Sequence, residues 1–331
     1  MTRFLYYPGC SMDASGRAYA QSLQAVLRPL GLELAEVADW NCCGATEYRG
    51  LSPIGAHALV ARNLALAERQ RDGTDILVAP CSACFVNLAR TDHTMRDDPG
   101  LADTVNRALA AGSLSYTPGS IRVRHLVEIL IGEVGIEEVA RHVVRPLHGL
   151  RVAPYLGCLV SRPDEDHRWR LREHPREFDR LLAALGAEVI DYPCRTDCCG
   201  GHLTQIGPDT GFELIRRLVD TATRGGAHLM ATVCPMCQLN VDAYQGEMNR
   251  HFHTTYHMPI LFFTQLVGLA FGASAGDLGI GAEIVSARDA LARIGIDVPP
   301  SEPPVEATGR RSRRSRELPM PPPLPDPGAP S

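Results

Sequence analysis

Ile76-Leu77-Val78-Ala79-Pro80-Cys81-Ser82-Ala83-Cys84 returns later in the chain as Leu229-Met230-Ala231-Thr232-Val233-Cys234-Pro235-Met236-Cys237. Each copy is a short apolar run that breaks at a turn and delivers two cysteines spaced Cys-x-x-Cys. Working outward, Cys42-Cys43-Gly44 returns as Cys198-Cys199-Gly200, and Tyr7-Pro8-Gly9-Cys10 as Tyr155-Leu156-Gly157-Cys158. The five cysteines recur in order at offsets of 148, 156, 156, 153 and 153 residues. Two homologous halves follow, because a chance alignment would not keep five positions in register.

Each half reads as strands alternating with helices. Arg3–Tyr7, Ile76–Ala79, Val152–Leu156 and Val189–Tyr192 are rich in strand formers, as is the stretch from Leu32. Residues 15–29, 55–71, 176–185 and 209–224 carry helical apolar spacing. Such alternation predicts an α/β fold of open, mostly parallel sheets with crossover helices. The repeated cysteines then fall just beyond strand ends, where open α/β sheets gather ligands. The expected division is residues 1–148 and 149–298 as two cysteine-rich domains, with 299–331 as a tail. The tail has 11 prolines and the basic group Arg310, Arg311, Arg313, Arg314 and Arg316, and is expected to be disordered.

Composition narrows the function. The 331 residues are 45% hydrophobic, ordinary for a globular chain. All 33 basic residues are arginine, against 38 acidic ones, and the net charge of −5 argues against a nucleic-acid-binding surface. Proline interrupts the N-terminus at Pro8, and the apolar run from Pro259 to Ala273 is too short to span a bilayer. That run is expected to be a buried helix, and no transmembrane segment is expected. With 11 cysteines, complete internal pairing is impossible, and a reducing, cytoplasmic setting is expected.

Thiolates favour soft metals, and Cys-x-x-Cys presents two sulfurs to one centre. Adjacent Cys42 and Cys43 point apart and suit different irons of one polynuclear cluster better than one ion. Five cysteines per half also exceed the four of a structural zinc site. Zinc remains an alternative. Two further readings are a thioredoxin-like use of Cys234-Pro235-Met236-Cys237 and inert buried thiols; neither explains the repeat.

These two cysteine series resemble the duplicated CCG domain, and over residues 1 to about 275 the chain resembles the B subunit of heterodisulfide reductase. Supporting stretches are Tyr6-Tyr7-Pro8-Gly9-Cys10-Ser11, Asp39-Trp40-Asn41-Cys42-Cys43-Gly44-Ala45 and Phe263-Thr264-Gln265-Leu266-Val267-Gly268-Leu269. The resemblance implies two noncubane [4Fe–4S] clusters. One would be held by Cys10, Cys42, Cys43, Cys81 and Cys84, the other by Cys158, Cys198, Cys199, Cys234 and Cys237. A thiol disulfide would be cleaved, or formed, between them. Electrons would come through a ferredoxin-like iron–sulfur partner from a flavin-containing partner of the same complex. The chain itself has neither ferredoxin spacing nor a dinucleotide fingerprint, and no flavin or NAD is expected in it. The alternative is an electron-transfer or scaffold subunit of a sulfur- or organic-acid-oxidising complex.

Other candidates are secondary. Cys194 has no counterpart in the first half and reads as a small buried residue. His202 could protonate a leaving thiolate or bond the cluster loop. His251, His253 and His257 read as a solvated loop rather than a zinc site. Gly44 and Gly200 are expected to make room for a cluster beside two ligating side chains, and the glycines at 272, 276, 279 and 281 to form a flexible connector.

Overall fold

The computed structural model describes residues 2–45, 48–161 and 175–298. The proline-rich tail and its arginine group lie outside the described residues.

The first sheet contains β1 (Thr2–Tyr6), β2 (Leu32–Glu36), β3 (Ile76–Ala79) and β4 (Arg122–His125), all parallel in the order β2-β1-β3-β4. The second contains β5 (Arg151–Tyr155), β6 (Glu188–Val189), β7 (Leu229–Thr232) and β8 (Ile260–Phe262), parallel in the matching order β6-β5-β7-β8. Parallel strands need crossovers, and these are helical. Every residue of β3 and β7 is buried, as an inner parallel strand covered on both faces requires.

The helices form where the apolar spacing predicts. In α1 (Arg17–Leu27), Tyr19, Leu23, Val26 and Leu27 line one buried face. Ser52 caps α2 (Pro53–Gln70) by accepting from the Gly55 N–H, with Pro53 supplying the first helical position. Then come α3 (Ser82–Asp97), α4 (Pro99–Ala110) and α5 (Ile136–Arg141). The second half contributes α6 (Glu177–Ala184), α7 (Pro208–Arg224), α8 (Pro235–Ala243), α9 (Gln245–Phe252) and α10 (Phe263–Ala270).

Three expectations change. The run from Pro259 is not one helix: Ile260–Phe262 pairs with β7 as a strand, and the helix begins at Phe263. A continuous apolar run satisfies a buried strand as well as a buried helix. The boundary is set by Gln265, whose side-chain oxygen accepts from the Phe262 N–H. The strand expected over Val189–Tyr192 ends at Val189, because the chain turns away where Asp191 joins Arg176 and Arg195 and where Pro193 lacks a donor. The glycines from 272 to 281 form a packed segment rather than a flexible connector. Gln21 of α1 donates to the Gly276 and Asp277 carbonyls, and Gln265 to that of Leu278.

The halves share their cores. Phe4, Tyr6 and Val78 lie in one core with Val152, Leu229 and Ala231, whereas Leu5, Tyr7 and Leu77 lie in the other with Ala153, Tyr155 and Met230. Alternation along each strand produces this split. The first helix of each half packs on the last helices of the other. α1 lies on α10, with the Ser22 and Thr264 hydroxyls 2.6 Å apart and Tyr19 stacked on Phe262 at 4.4 Å. Reciprocally, α6 lies on α5 and the π-helical segment Ile129–Gly135.

Candidate metal centre

All ten repeated cysteines lie beyond the C-terminal ends of strands, around the point in each sheet where the strand order reverses, β1/β3 and β5/β7. Cys81 and Cys234 stand immediately before α3 and α8, and Cys84 and Cys237 lie in the first turns of those helices. Cys81, Cys84, Cys234, Cys237, Cys43 and Cys199 are buried, while Cys10, Cys42 and Cys198 are exposed. Each set therefore runs from surface to interior.

Within a set the thiols are strung pairwise. Cys10 Sγ is 3.8 Å from Cys42 Sγ, Cys43 Sγ is 3.4 Å from Cys84 Sγ, and Cys81 lies close enough to Cys84 to raise its thiol. In the second set the neighbours that perturb one another's thiols follow the same order, Cys158 with Cys198, Cys198 with Cys199, Cys199 with Cys237 and Cys237 with Cys234. Sequence spacing did not reveal that the sets approach one another: Cys81 and Cys234, the equivalent residues of the two halves, lie close enough to perturb each other's thiols, and Ser82 lies close enough to affect Cys234. Hydrogen bonding lowers two members of this string below the ordinary thiol range. Cys43 falls to about 6 through its bond with Cys84, helped by the Ala45 N–H and Asn87 against the opposing effect of burial. Cys234 falls through Cys237 and Cys81. Cys199 moves the other way, to about 12, chiefly through Cys198. A lowered thiol is richer in thiolate, the ligating form.

Paired supports hold the cysteine loops. The Tyr7 hydroxyl donates to the Asn41 carbonyl at 2.7 Å, and the Tyr155 hydroxyl to that of Asp197 at 2.9 Å; each carbonyl immediately precedes a Cys-Cys pair. Asn87 donates to the Cys43 and Ala45 carbonyls, and Asn240 to the Cys199 carbonyl at 2.6 Å. Both asparagines lie one helical turn beyond Cys-x-x-Cys, at the 153-residue offset of the motif itself. That shared offset is the signal that could have identified them. Arg195, 1% exposed, pairs with Asp179 and Asp191, and its carbonyl accepts from the Leu156 and Gly157 N–H groups.

The glycine reading is corrected in part. Gly44 and Gly200 have φ of +74° and +92°, a left-handed backbone that favours glycine, but a Cβ there would meet Leu59 or Gly211 rather than a thiol. Close sulfur contact occurs at Gly9 and Gly157, where a Cβ would lie 2.9 Å from Cys84 Sγ and 3.2 Å from Cys237 Sγ. Backbone donors also face the sulfurs: Gly200 N–H to Cys198 Sγ at 3.3 Å and Gly201 N–H to Cys199 Sγ at 3.4 Å.

The secondary candidates stand apart from this string. Cys194 is buried, and burial raises its thiol. His202 is half-buried at the head of the Leu203–Ile206 turn, three residues past Cys199. His251 belongs to α9 rather than to a loop, 3.8 Å from Asp209 and against Phe212 and Phe252, because the helix runs on to Phe252. His253 ends that helix in a left-handed conformation, and His257 is exposed beyond it. Among the described residues, no three His, Cys, Asp or Glu side chains are placed to hold a single ion. The donor set suits a polynuclear group instead: five thiols in a row, N–H donors aimed at sulfur, and Cβ-free approaches at Gly9 and Gly157.

Comparison with known proteins agrees with this geometry. The model of the CCG cysteine-rich domain family matches residues 4–89 and again 152–242. The chain is 33% identical, over 86% of its length and 97% of the relative's, to the 8-methylmenaquinol:fumarate reductase membrane anchor subunit of Wolinella succinogenes. It is 29% identical to the B subunit of the ferredoxin:CoB-CoM heterodisulfide reductase of Methanosarcina mazei, over 89% of the chain and 97% of the relative. Among solved structures, a hypothetical protein from Helicobacter pylori shares the fold, with a TM-score of 0.69 at 15% identity; the match covers 86% of this chain and 52% of that one. No helix among the described residues is long and apolar enough to cross a membrane. The chain belongs to the family of duplicated CCG cysteine-rich domain proteins that includes the B subunit of heterodisulfide reductase.

Proposed function

We propose that this chain is the disulfide-active subunit of a heterodisulfide-reductase-like complex, with residues 1–148 and 149–298 as its two cysteine-rich domains. Each set of five cysteines holds one noncubane [4Fe–4S] cluster, and a thiol disulfide is cleaved or formed between the sets. The observation that carries this reading is that Cys81 and Cys234, buried at the equivalent helix starts of the two halves, lie close enough to perturb each other's thiols, so the two sets face one another. When bound, such clusters supply electrons to a disulfide and accept its sulfurs. The chain's own residues provide position and charge. Tyr7, Tyr155, Asn87 and Asn240 fix the Cys-Cys loops, the Gly200 and Gly201 N–H groups oppose negative charge on sulfur, and exposed Cys10, Cys42 and Cys198 leave one side open.

Electrons enter from a ferredoxin-like iron–sulfur partner fed by a flavin-bearing one, in the cytoplasm; the eleven free cysteines support a reducing setting. Anaerobic purification with iron and sulfide quantified tests the metal assignment. The expected content is about eight irons per chain, from two four-iron clusters; fewer than about four, or zinc in their place, would overturn it. Cys43→Ala and Cys199→Ala should each alter one cluster spectroscopically and leave the other intact.

A second reading has support in the 33% identical relative, whose name makes it a membrane anchor subunit of a fumarate reductase. Here the chain carries or scaffolds electron transfer without disulfide chemistry. Thiol release from added disulfides by the reconstituted complex separates the readings.

A further inference from the structure

We propose that the cleft bounded by α3, the Tyr48–Leu51 turn and edge strand β4 binds a small multivalent anion, a metabolite bearing phosphate or carboxylate groups. The cleft has a volume of about 450 Å³, within the range of small-molecule sites. It is separate from the cysteine string and does not depend on the iron–sulfur reading.

Its lining is strongly basic. Arg49, Arg90, Arg96, Arg122, Arg124 and His93 all face it, from three elements, in a chain whose net charge is −5. Three of these charges are committed elsewhere: Arg96 to Asp92, Arg122 to Asp75 through two bonds of 2.7 Å, and His93 to Asp97. For Arg49, Arg90 and Arg124, no carboxylate among the described residues lies within ion-pair distance. Arg49 and Arg90 instead line the same cleft as like charges. Burial and then Arg90 hold the Arg49 guanidinium below its ordinary value, and both arginines push His57 down in addition to its own burial.

Arg124 supplies a second, independent sign. Among the described residues its buried Nε has no hydrogen-bond partner, while Nη1 donates to the neighbouring Val123 carbonyl. A buried guanidinium donor without an acceptor costs free energy unless a ligand supplies one. Among the described residues Asp92 is the one carboxylate in the lining, and it is turned inward, accepting from the Tyr116 hydroxyl and the Gly119 N–H. It braces Arg96 rather than neutralising the cleft. Two like-charged arginines in one lining, a third unsatisfied donor and an inward acid leave a pocket complementary to several anionic oxygens. A single oxyanion is much smaller than the cleft, so a metabolite-sized ligand fits better. Arg49 also lines a second, small cavity against Cys43 and Gly44.

Titration calorimetry of the full-length protein with pyrophosphate and, separately, citrate tests the proposal. At low ionic strength one of the two should bind, and the tighter of them distinguishes a phosphate from a carboxylate ligand. Arg90→Gln should weaken binding about tenfold, as expected for loss of one charged contact. Arg90→Lys should retain part of the affinity, and Arg141→Gln, on a distant helix, all of it. Should Arg90→Gln not fold by circular dichroism, Arg49→Gln on the short surface turn serves in its place. Binding of neither anion beyond that of chloride at equal ionic strength would overturn the site. So would unchanged affinity in both glutamine variants.

Discussion

Asn240 shows how much one side chain carries at the centre. Its amide donates to the Cys199 carbonyl, its oxygen accepts from the Thr204 hydroxyl, and the residue is buried. Asn240→Ala leaves a buried carbonyl without its donor, a loss of about 1–3 kcal/mol. Chemical denaturation should show that loss, and iron analysis should show depletion of the second set with the first retained; the mirror variant Asn87→Ala should deplete the first. His57 makes a different residue-scale prediction. It is buried, its Nδ1 lies 3.1 Å from the Thr91 hydroxyl, and burial, then Arg49 and Arg90, lower its pKa. The unfolded chain therefore binds a proton more readily than the folded one. His57 contributes full stability above the ordinary histidine value of about 6.5, and this is lost as pH falls from there through the lower folded value. Denaturation midpoints followed across that window should decline in the parent more steeply than in His57→Asn.

At the scale of elements, the loop from Cys194 to Cys199 is held by charge rather than by regular structure. Arg195 joins Asp179 on α6 to Asp191 beyond β6, while its backbone carbonyl receives the chain entering Cys158. Nothing in the cysteine spacing marks this residue, because its role depends on two acids 16 and 4 positions away being brought together by folding. Arg195→Ala leaves the largely buried Asp179 with only the exposed Arg176 as its ion-pair partner and should cost about 1–3 kcal/mol, the scale for losing a charged hydrogen bond. Urea unfolding measures the cost. On the proposed two-cluster reading, the spectrum of the second cluster should broaden as the loop loosens, whereas a shift confined to the first would contradict this assignment. Strand β6 teaches the same lesson: its β-rich sequence continues to Tyr192, but the charge cluster ends the strand at Val189.

For the whole molecule, the exchange of helix contacts makes the halves interdependent. α1 buries its apolar face on α10, and α6 buries its own on α5 and Ile129–Gly135, so each half lacks a cover that the other supplies. Residues 1–148 expressed alone should expose the α1 face, sediment as aggregates and unfold without a sharp transition. Co-expression with residues 149–298 should restore a single cooperative transition. Independent, sharp unfolding of the separate halves would contradict the shared core.

The sequence alone determined the repeat, the α/β class and the ten cysteines, because each is written in local order: an apolar run, a break, a thiol at fixed spacing. It did not determine which way the run from Pro259 would fold, since strand and helix bury a continuous apolar stretch equally well until Gln265 and β7 choose between them. The approach of Cys81 to Cys234, the grip of Arg195 and the arginine-lined cleft beside β4 were likewise decided by tertiary structure. Each depends on residues far apart in the chain, whose proximity is fixed only when two sheets close on shared cores.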